Sequence, residues 1–224
     1  MHQKKSKKIL IYFFLFLFIG TFNNKDLKKN NFSKIDVINV IGLNDENTLE
    51  LMNKLKILRI ENIFFLNEKQ IKEILNSNDL IESYTVFKKY PSTLNIKVNE
   101  TKFLAQTKKD GEDFFLGSNG KLIKMKNIKS EVPYLFGNFK NSNFFQLKEA
   151  IDETNFNYNK IKNLFFFKSG RWDIETKEGL MIKLPKDNLK RSLKFLVNFL
   201  SQNYKNEINN IDLRQYDQII INGK

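Results

Sequence analysis

The run LIESYTVFKKYPSTLNIKVNE at residues 80–100 contains two strand patterns separated by a proline. Residues 84–87 are β-branched or aromatic, a composition that is typical of strands. Residues 94–98 alternate Leu, Ile and Val with polar side chains, which indicates a strand with one buried face. Pro91 has no amide hydrogen to donate, so it ends the first strand. This run predicts two consecutive strands and decides the fold of the first half of the chain.

The residues before this run predict one strand and two helices. Residues 35–41 are rich in Ile and Val and end at a Gly-Leu-Asn-Asp turn that offers a helix cap. Leucines recur at helical spacing over residues 46–58. Asn67 caps a second helix, which ends at the polar cluster of residues 76–79. Residues 35–100 therefore predict the order strand, helix, helix, strand, strand.

Residues 101–224 predict a second domain, mostly antiparallel β with flanking helices. The Gly-Ser-Asn-Gly sequence at 117–120 lies between two apolar runs and predicts a hairpin, because Asn-Gly tolerates positive φ. Residues 145–151 indicate one helix, and leucines at helical spacing over residues 189–200 indicate another. The last strand is predicted over residues 216–221. The predicted fold class is thus α+β.

The first 22 residues combine a basic start with an uncharged apolar run. Four lysines lie within the basic tail, residues 1–8, and ILIYFFLFLFIGTF follows at residues 9–22. As a helix at ~1.5 Å per residue, that run covers only about 21 Å of a ~30 Å hydrocarbon core. It lacks the small-residue cleavage site of a signal peptide and the polar face of a soluble helix. We expect an uncleaved transmembrane anchor with its N-terminus in the cytoplasm, while a cleaved signal peptide stays open.

Composition excludes several kinds of site. The chain has no cysteine and a single histidine, His2, so disulfides, thiolate metal sites and Ser-His nucleophilic sites are excluded. A net charge of +13 is spread along the chain without any nucleic-acid-binding motif. Asp173 and Glu175 are the only paired carboxylates considered for acid–base work, and we expect them on a solvated strand face. No enzymatic activity is predicted.

Several motifs resemble those of the FtsQ/DivIB family of bacterial cell-division proteins. Residues 80–100 are similar to its POTRA domain, in which a P-x-T-L element precedes an alternating strand that ends in Glu. Here Ser83-Tyr84 replaces the usual small pair, and Lys88-Lys89 stands where arginines are common. The family's β domain is resembled by four further motifs, VPYLFG at 132–137, RWD at 171–173, KLP at 183–185 and IDLR at 211–214.

The resemblance implies a function. Members are single-pass scaffolds of the divisome in the inner membrane, and they link early to late division proteins during septum formation. It implies a POTRA domain over residues 35–100 and a periplasmic β domain over residues 101–224, with no cofactor and no nucleic acid. It also implies that FtsB and FtsL bind at the far end of the β domain. By analogy, the expected contact residues are Arg171, Arg214, Tyr216, Ile219, Ile220 and Ile221.

The expected binding mode is β-augmentation. A strand at the end of the chain is expected at a sheet edge, where it can accept a partner's strand. A second surface near Val86 and Lys88 is expected to recruit other divisome components through the POTRA domain. The alternatives are that the isoleucines fill the core, that Arg171 packs over an aromatic ring, and that Lys88 is a solvated strand end. A rival function, a POTRA-containing transport or outer-membrane assembly module, requires a C-terminal barrel of many ~10-residue alternating strands, whereas the residues after Glu100 include an amphipathic helix.

Overall fold

A computed structural model describes residues 3–22, 34–124, 130–203, 208–215 and 218–223. The chain divides into two compact units, Met1–Glu100 and Thr101–Lys224.

The first element is a helix, α1, over Gln3–Phe22. It begins earlier than predicted, because the lysine-rich residues expected as a tail are helical as well. Every side chain from Ile9 to Ile19 is exposed, and all of them are apolar or aromatic. Among the described residues, no helix combines the length and the apolar character required of a membrane span. The predicted anchor at residues 9–22 is therefore helical but not confirmed as transmembrane.

The rest of the first unit has the predicted order of elements. Its three-stranded sheet has the order β1-β3-β2, in which β1 runs parallel and β2 antiparallel to β3. Two helices and a 3-10 turn separate β1 from β2. The elements are β1 (Val37–Ile41), α2 (Asp45–Leu55), η1 (Lys56–Ile60), α3 (Glu68–Asn76), β2 (Ile81–Lys89) and β3 (Thr93–Glu100).

Asparagine side chains start both helices, as the sequence predicts. The Asn44 side chain accepts a hydrogen bond from the amide of Asn47, and the Asn67 side chain accepts one from Lys69, each at 2.9 Å. Helix α2 is shorter than predicted, since its last turn tightens into η1. The apolar faces of both helices pack with the sheet in one shared core, and each fully buried leucine contributes roughly 1.5–3 kcal/mol. The buried core includes Ile38, Leu51, Leu55, Leu58, Ile71, Leu75, Leu94, Ile96 and Val98.

The second unit is built on one nine-stranded sheet with the order β12-β11-β10-β9-β8-β7-β4-β5-β6. Its strands are β4 (Phe103–Lys109), β5 (Glu112–Gly117), β6 (Leu122–Lys124), β7 (Tyr134–Phe136), β8 (Ile161–Phe166), β9 (Trp172–Thr176), β10 (Met181–Lys183), β11 (Ile208–Asp212) and β12 (Ile220–Gly223). Its helices are α4 (Asn141–Asp152), the 3-10 turn η2 (Tyr158–Lys160) and α5 (Leu189–Asn203).

This sheet is mixed, whereas the prediction was mostly antiparallel. Among the described strands, five neighbouring pairs are antiparallel and three are parallel. Two parallel pairs arise because a helix carries the chain back across the sheet, α4 between β7 and β8 and α5 between β10 and β11. Both helices pack on the sheet around a core that contains Phe144, Leu147, Leu164, Trp172, Ile174, Ile182, Leu193 and Leu196.

The terminal strand also differs from its prediction over residues 216–221. Strand β12 begins at Ile220, which pairs with Asp212, the last residue of β11. Gln218 and Ile219 face no strand, because β11 has already ended, and the β propensity of Ile219 alone cannot extend the ladder. Tyr216 lies outside the described residues.

Gly137 permits a close approach between two strands, and its replacement tests this packing. Its φ is +103°, and a Cβ there would overlap the carbonyl oxygen of Phe166, at the end of β8. We expect Gly137→Ala to lower the free energy of unfolding by the ~1–2 kcal/mol of a left-handed conformation plus roughly 1–3 kcal/mol for the forced shift. Urea unfolding followed by the fluorescence of Trp172, the single tryptophan, measures this unit.

Gly179 is the matched control for that substitution. Its φ is +88°, but a Cβ there meets nothing within 4 Å. Gly179→Ala should therefore cost only the conformational part, about 1–2 kcal/mol. Equal losses in both variants would contradict a close approach at Gly137.

Candidate functional site

The far edge of the nine-stranded sheet is β12. Among the described strands, β12 pairs with β11 alone, so its second side presents backbone N–H and C=O groups to its surroundings. The side chains of Ile220 and Ile221 are each 46% exposed. Ile219 differs, since it is partly buried against the core. Ile219 therefore contributes to the core, as the alternative interpretation has it, whereas Ile220 and Ile221 do not.

A groove of about 400 Å³ lies where β9 begins and β10 and β11 end, and it reaches Gln218, two residues before β12. Gln215 and Gln218, from the segment between β11 and β12, form part of its wall, as does Phe195 of α5. The charged residues of its lining are four cations and one acid. They are Arg171, Lys186, Arg191, Arg214 and Asp187. The groove thus joins two predicted residues, Arg171 and Arg214, to a predominantly cationic surface.

Arg171 is held by an aromatic ring and a carboxylate. Its guanidinium carbon lies 4.4 Å from the centre of the Phe167 ring, a cation–π contact. Its Nε lies 3.5 Å from Oδ1 of Asp173, and neither atom has a hydrogen-bond partner among the described residues. Packing over an aromatic ring, the alternative left open for this residue, is therefore observed, and it fixes the side chain in the groove wall.

Arg214 is held by Asp212, two residues earlier. Its Nε lies 2.9 Å from both carboxylate oxygens of Asp212, and its backbone amide donates to Oδ1 at 3.0 Å. The Arg214 side-chain hydrogen bonds are the main reason that the pKa of Asp212 is lowered. The Arg214 side chain remains 43% exposed. This fork presents a fixed cation at the groove.

Asp173 lies in a buried position, so the expectation of a solvated face was wrong for it. Only 5% of the residue is exposed, because its cross-strand neighbours Phe165 and Lys183 flank it on both sides. Burial raises the pKa of Asp173, and the charges of Arg171 and Lys183 oppose the rise without cancelling it. On the same strand, Glu175 accepts a 2.8 Å hydrogen bond from Asn163, which lowers its pKa.

Two cations of the groove, Lys186 and Arg191, were not predicted. Lys186 follows the KLP motif and Arg191 lies in the first turn of α5. Their positions in the sequence, apart from Arg171 and Arg214, give no indication that these four side chains line the same groove. Only the pairing of β10 with β11 through α5 brings these segments to one end of the sheet.

The predicted recruitment residues, Val86 and Lys88, lie in the first unit on β2. They share one face of the strand, and Val86 packs partly against the core. β2 forms one edge of its sheet, and a cleft between this edge and α3 is lined by Ile71, Lys72 and both predicted residues. Lys88 is half-buried there rather than fully solvated.

Comparisons with known proteins agree with this architecture. Residues 33–101 match the family model of the FtsQ-type POTRA domain, and residues 105–214 match that of the C-terminal domain of cell division protein FtsQ/DivIB. The folds and matches thus define a class, a POTRA domain followed by an FtsQ/DivIB-type β domain. The chain belongs to the FtsQ/DivIB family of cell-division proteins.

Individual relatives are similar over part of their length. Cell division protein FtsQ of Rickettsia bellii is 26% identical over 84% of this chain and 72% of its own length. Cell division protein DivIB of Staphylococcus aureus is also 26% identical, over 73% of this chain and only 38% of its own length. A solved structure of the major extracytoplasmic domain of DivIB from Geobacillus stearothermophilus is similar with a TM-score of 0.34 and 16% identity, covering 48% of this chain and 99% of that one.

The two aspartates predict opposite responses to neutralisation. Because burial raises the pKa of Asp173 above its ordinary value near 3.8, the folded state keeps a proton that the unfolded chain releases, and stability falls as pH rises through that window. For Asp212 the folded pKa is lowered, so its contribution is present above about pH 3.8 and is lost as pH falls through the lowered pKa.

At pH 7 we therefore expect Asp173→Asn to raise the free energy of unfolding and Asp212→Asn to lower it. Urea unfolding followed by Trp172 fluorescence measures both variants. A repeat between pH 3 and pH 7 should show a weaker fall in stability with rising pH for Asp173→Asn. Changes of the same sign at pH 7 would contradict this assignment of the two carboxylates.

Proposed function

We propose that this chain is a non-enzymatic scaffold of the divisome that binds single-pass division proteins of the FtsB and FtsL type. A partner segment adds as a further strand to β12. The observation that carries the proposal is the open edge of β12, with Ile220 and Ile221 exposed, next to a cationic groove. Backbone hydrogen bonds along such an edge supply affinity, and side-chain pockets supply specificity.

The groove chemistry defines the partner strand. Arg171 and Arg214 are already oriented by Phe167 and Asp212, so a partner carboxylate that binds them loses little side-chain freedom in the protein. Arginine guanidinium groups also suit a carboxylate because they can bind both of its oxygens. The fitting partner is therefore a strand with acidic side chains on one face and apolar side chains that cover Ile220 and Ile221.

The scaffold role follows from family membership and from the engagement of the carboxylates. Glu175 is occupied by Asn163 and Lys162, and Asp173 faces Arg171. Each is part of a structural pair, which leaves neither positioned as one half of an acid–base couple. The rival transport or outer-membrane assembly function is not favoured, because the residues after the POTRA domain match the FtsQ/DivIB C-terminal domain.

We place α1 in the inner membrane, with the N-terminus in the cytoplasm and with residues 34–100 and the second unit in the periplasm at the division septum. Eleven consecutive exposed apolar side chains, from Ile9 to Ile19, support this placement, since water solvates such a surface poorly. A short apolar run is accommodated by local thinning of the bilayer and by lysines that extend towards the headgroups. The β2 edge near Val86 and Lys88 recruits further divisome components.

Proline substitutions in β12 test strand addition. Successive N–H groups of an edge strand point alternately to the neighbouring strand and to the open side. Of Ile220→Pro and Ile221→Pro, one therefore removes a donor to β11 and the other a donor to the partner. We expect the variant that loses the donor to the partner to keep the wild-type unfolding midpoint. Its affinity, measured on the full chain with purified FtsB and FtsL, should fall about tenfold or more.

Valine at the same two positions is the matched control, because it keeps the amide hydrogen and most of the apolar surface. Both valine variants should bind within about threefold of the wild type, as volume changes this small cost under ~1 kcal/mol at an exposed site. Folded proline variants at both positions that bind like the wild type would remove β12 from the interface.

Charge reversal in the groove tests the acidic partner. We expect Lys186→Glu to slow association with FtsB and FtsL about tenfold at low salt, because rim charges act mainly on the association rate. The difference should shrink at high salt through screening. Lys108→Glu, an exposed position on β4, six strands away from β12 in the sheet, is the control and should leave the rate unchanged. Equal slowing in both variants would indicate a net-charge effect instead of a groove contact.

A further inference from the structure

Five large apolar side chains are exposed at one end of the first unit. Their exposed fractions range from 54% to 85%, with Phe65 the highest. We call them the Phe65 patch, which consists of Ile57, Ile60, Phe64, Phe65 and Tyr90. Apolar side chains that are scattered singly over a surface need no explanation. A group of five exposed aliphatic and aromatic side chains does need one.

The fold holds this patch in place. In the 3-10 turn η1, side chains three residues apart share one row, so Ile57 and Ile60 point to the same side. The ring of Phe64 stacks on that of Tyr90 with centroids 4.8 Å apart. Three neighbouring side chains anchor the segment in the core, and they are Leu58, Ile63 and Leu66. The patch is therefore the outer side of a well-packed segment.

Basic side chains border the patch. Lys56 and Arg59 are also three residues apart and form a second row on η1, beside Ile57 and Ile60. Lys89 precedes Tyr90 at the end of β2. Lys34 forms an isolated bridge with Asn62, in the middle of the patch segment. The acids Asp36 and Glu61 lie near this border, and Glu68 lines a cleft with Tyr90, but Lys72 and Lys88 line that cleft as well, so cations remain in excess.

The length of the chain limits how far this border can lie from α1. Lys34, which pairs with Asn62, follows the last residue of α1, Phe22, after eleven intervening residues. Even a fully extended chain of that length spans at most about 40 Å. With α1 in the bilayer, as the proposed function has it, the membrane surface lies within reach of the Phe65 patch.

We propose that the Phe65 patch binds the membrane surface as a second attachment of the chain, and this rests on the proposed anchoring by α1. Phe64, Phe65 and Ile60 enter the boundary between headgroups and acyl chains, where aromatic and aliphatic side chains are both favoured. Lys56, Arg59 and Lys89 meet anionic phosphates, which attract basic residues near the surface. The ligand is thus an anionic lipid surface, and the attachment fixes the orientation of the first unit.

Site-specific labels on the full-length chain test this attachment, because the chain has no cysteine. Phe65→Cys carries an environment-sensitive fluorophore, and the protein is reconstituted in vesicles of phosphatidylcholine and phosphatidylglycerol in equal parts. Brominated acyl chains in the same lipids quench a label that enters the bilayer. Leu49→Cys is the matched control, since Leu49 is a 66% exposed apolar residue of α2 outside the patch.

We expect quenching at position 65 to exceed that at position 49 by about twofold or more, and to weaken in phosphatidylcholine alone as the anionic charge is removed. Adding Ile57→Ser and Ile60→Ser to the labelled chain should reduce it further. A label at position 65 that is no better quenched than the one at position 49 overturns the proposal. If added FtsB and FtsL then shield that label, the patch belongs to a protein partner.

A third label separates this proposal from the anchoring on which it depends. Phe16→Cys places the fluorophore in α1, where the residue is 76% exposed. No quenching at position 16 would refute the anchor. Quenching at position 16 without quenching at position 65 refutes only the second attachment.

Discussion

The nine-stranded sheet ends in an edge strand, β12, and the binding surface proposed for the second unit depends on that edge. The pairing between Asp212 and Ile220 sets where β12 begins, and the fork of Arg214 onto Asp212 stabilises the turn between the two strands. Proteins commonly protect such an edge with charges, a bulge or a covering loop. Here β12 is only four residues long, so it offers few backbone groups to another strand. Ile220 and Ile221 are nevertheless exposed, so the edge stays accessible.

Two ion pairs near this edge have different energetic characters. Asp212 is stabilised in its charged form, so its pairing with Arg214 favours the fold at neutral pH. Burial makes the charged form of Asp173 unfavourable, and the attraction of Arg171, whose Nε lies 3.5 Å away, compensates for that only in part. A buried carboxylate of this kind does more to orient an arginine than to stabilise a domain. Both pairs leave their arginines fixed at the groove before any partner arrives.

Local patterns in the sequence predict local structure, but they do not predict which strands pair across the sheet. Alternation over residues 94–98 and the cap at Asn67 were both confirmed, because each depends on a few consecutive residues. The start of β12, the three parallel pairs and the burial of Asp173 depend instead on which distant strands become neighbours. For the same reason Arg171 and Arg214 were identified through the family resemblance, while Lys186 and Arg191 were not.

The distribution of exposed apolar side chains connects these features to function. In the described part of the second unit the large exposed ones are Phe136, Phe167, Phe195, Ile220 and Ile221. Phe136 stacks on Phe165. Of the other four, Ile220 and Ile221 lie on β12, Phe195 lines the groove, and Phe167 lies beneath Arg171, which also lines the groove. Protein interfaces combine such an apolar centre with arginine and aromatic side chains. Folding alone gains nothing from leaving such apolar surface in water, and this is the physical argument for the proposed partner at this end of the second unit.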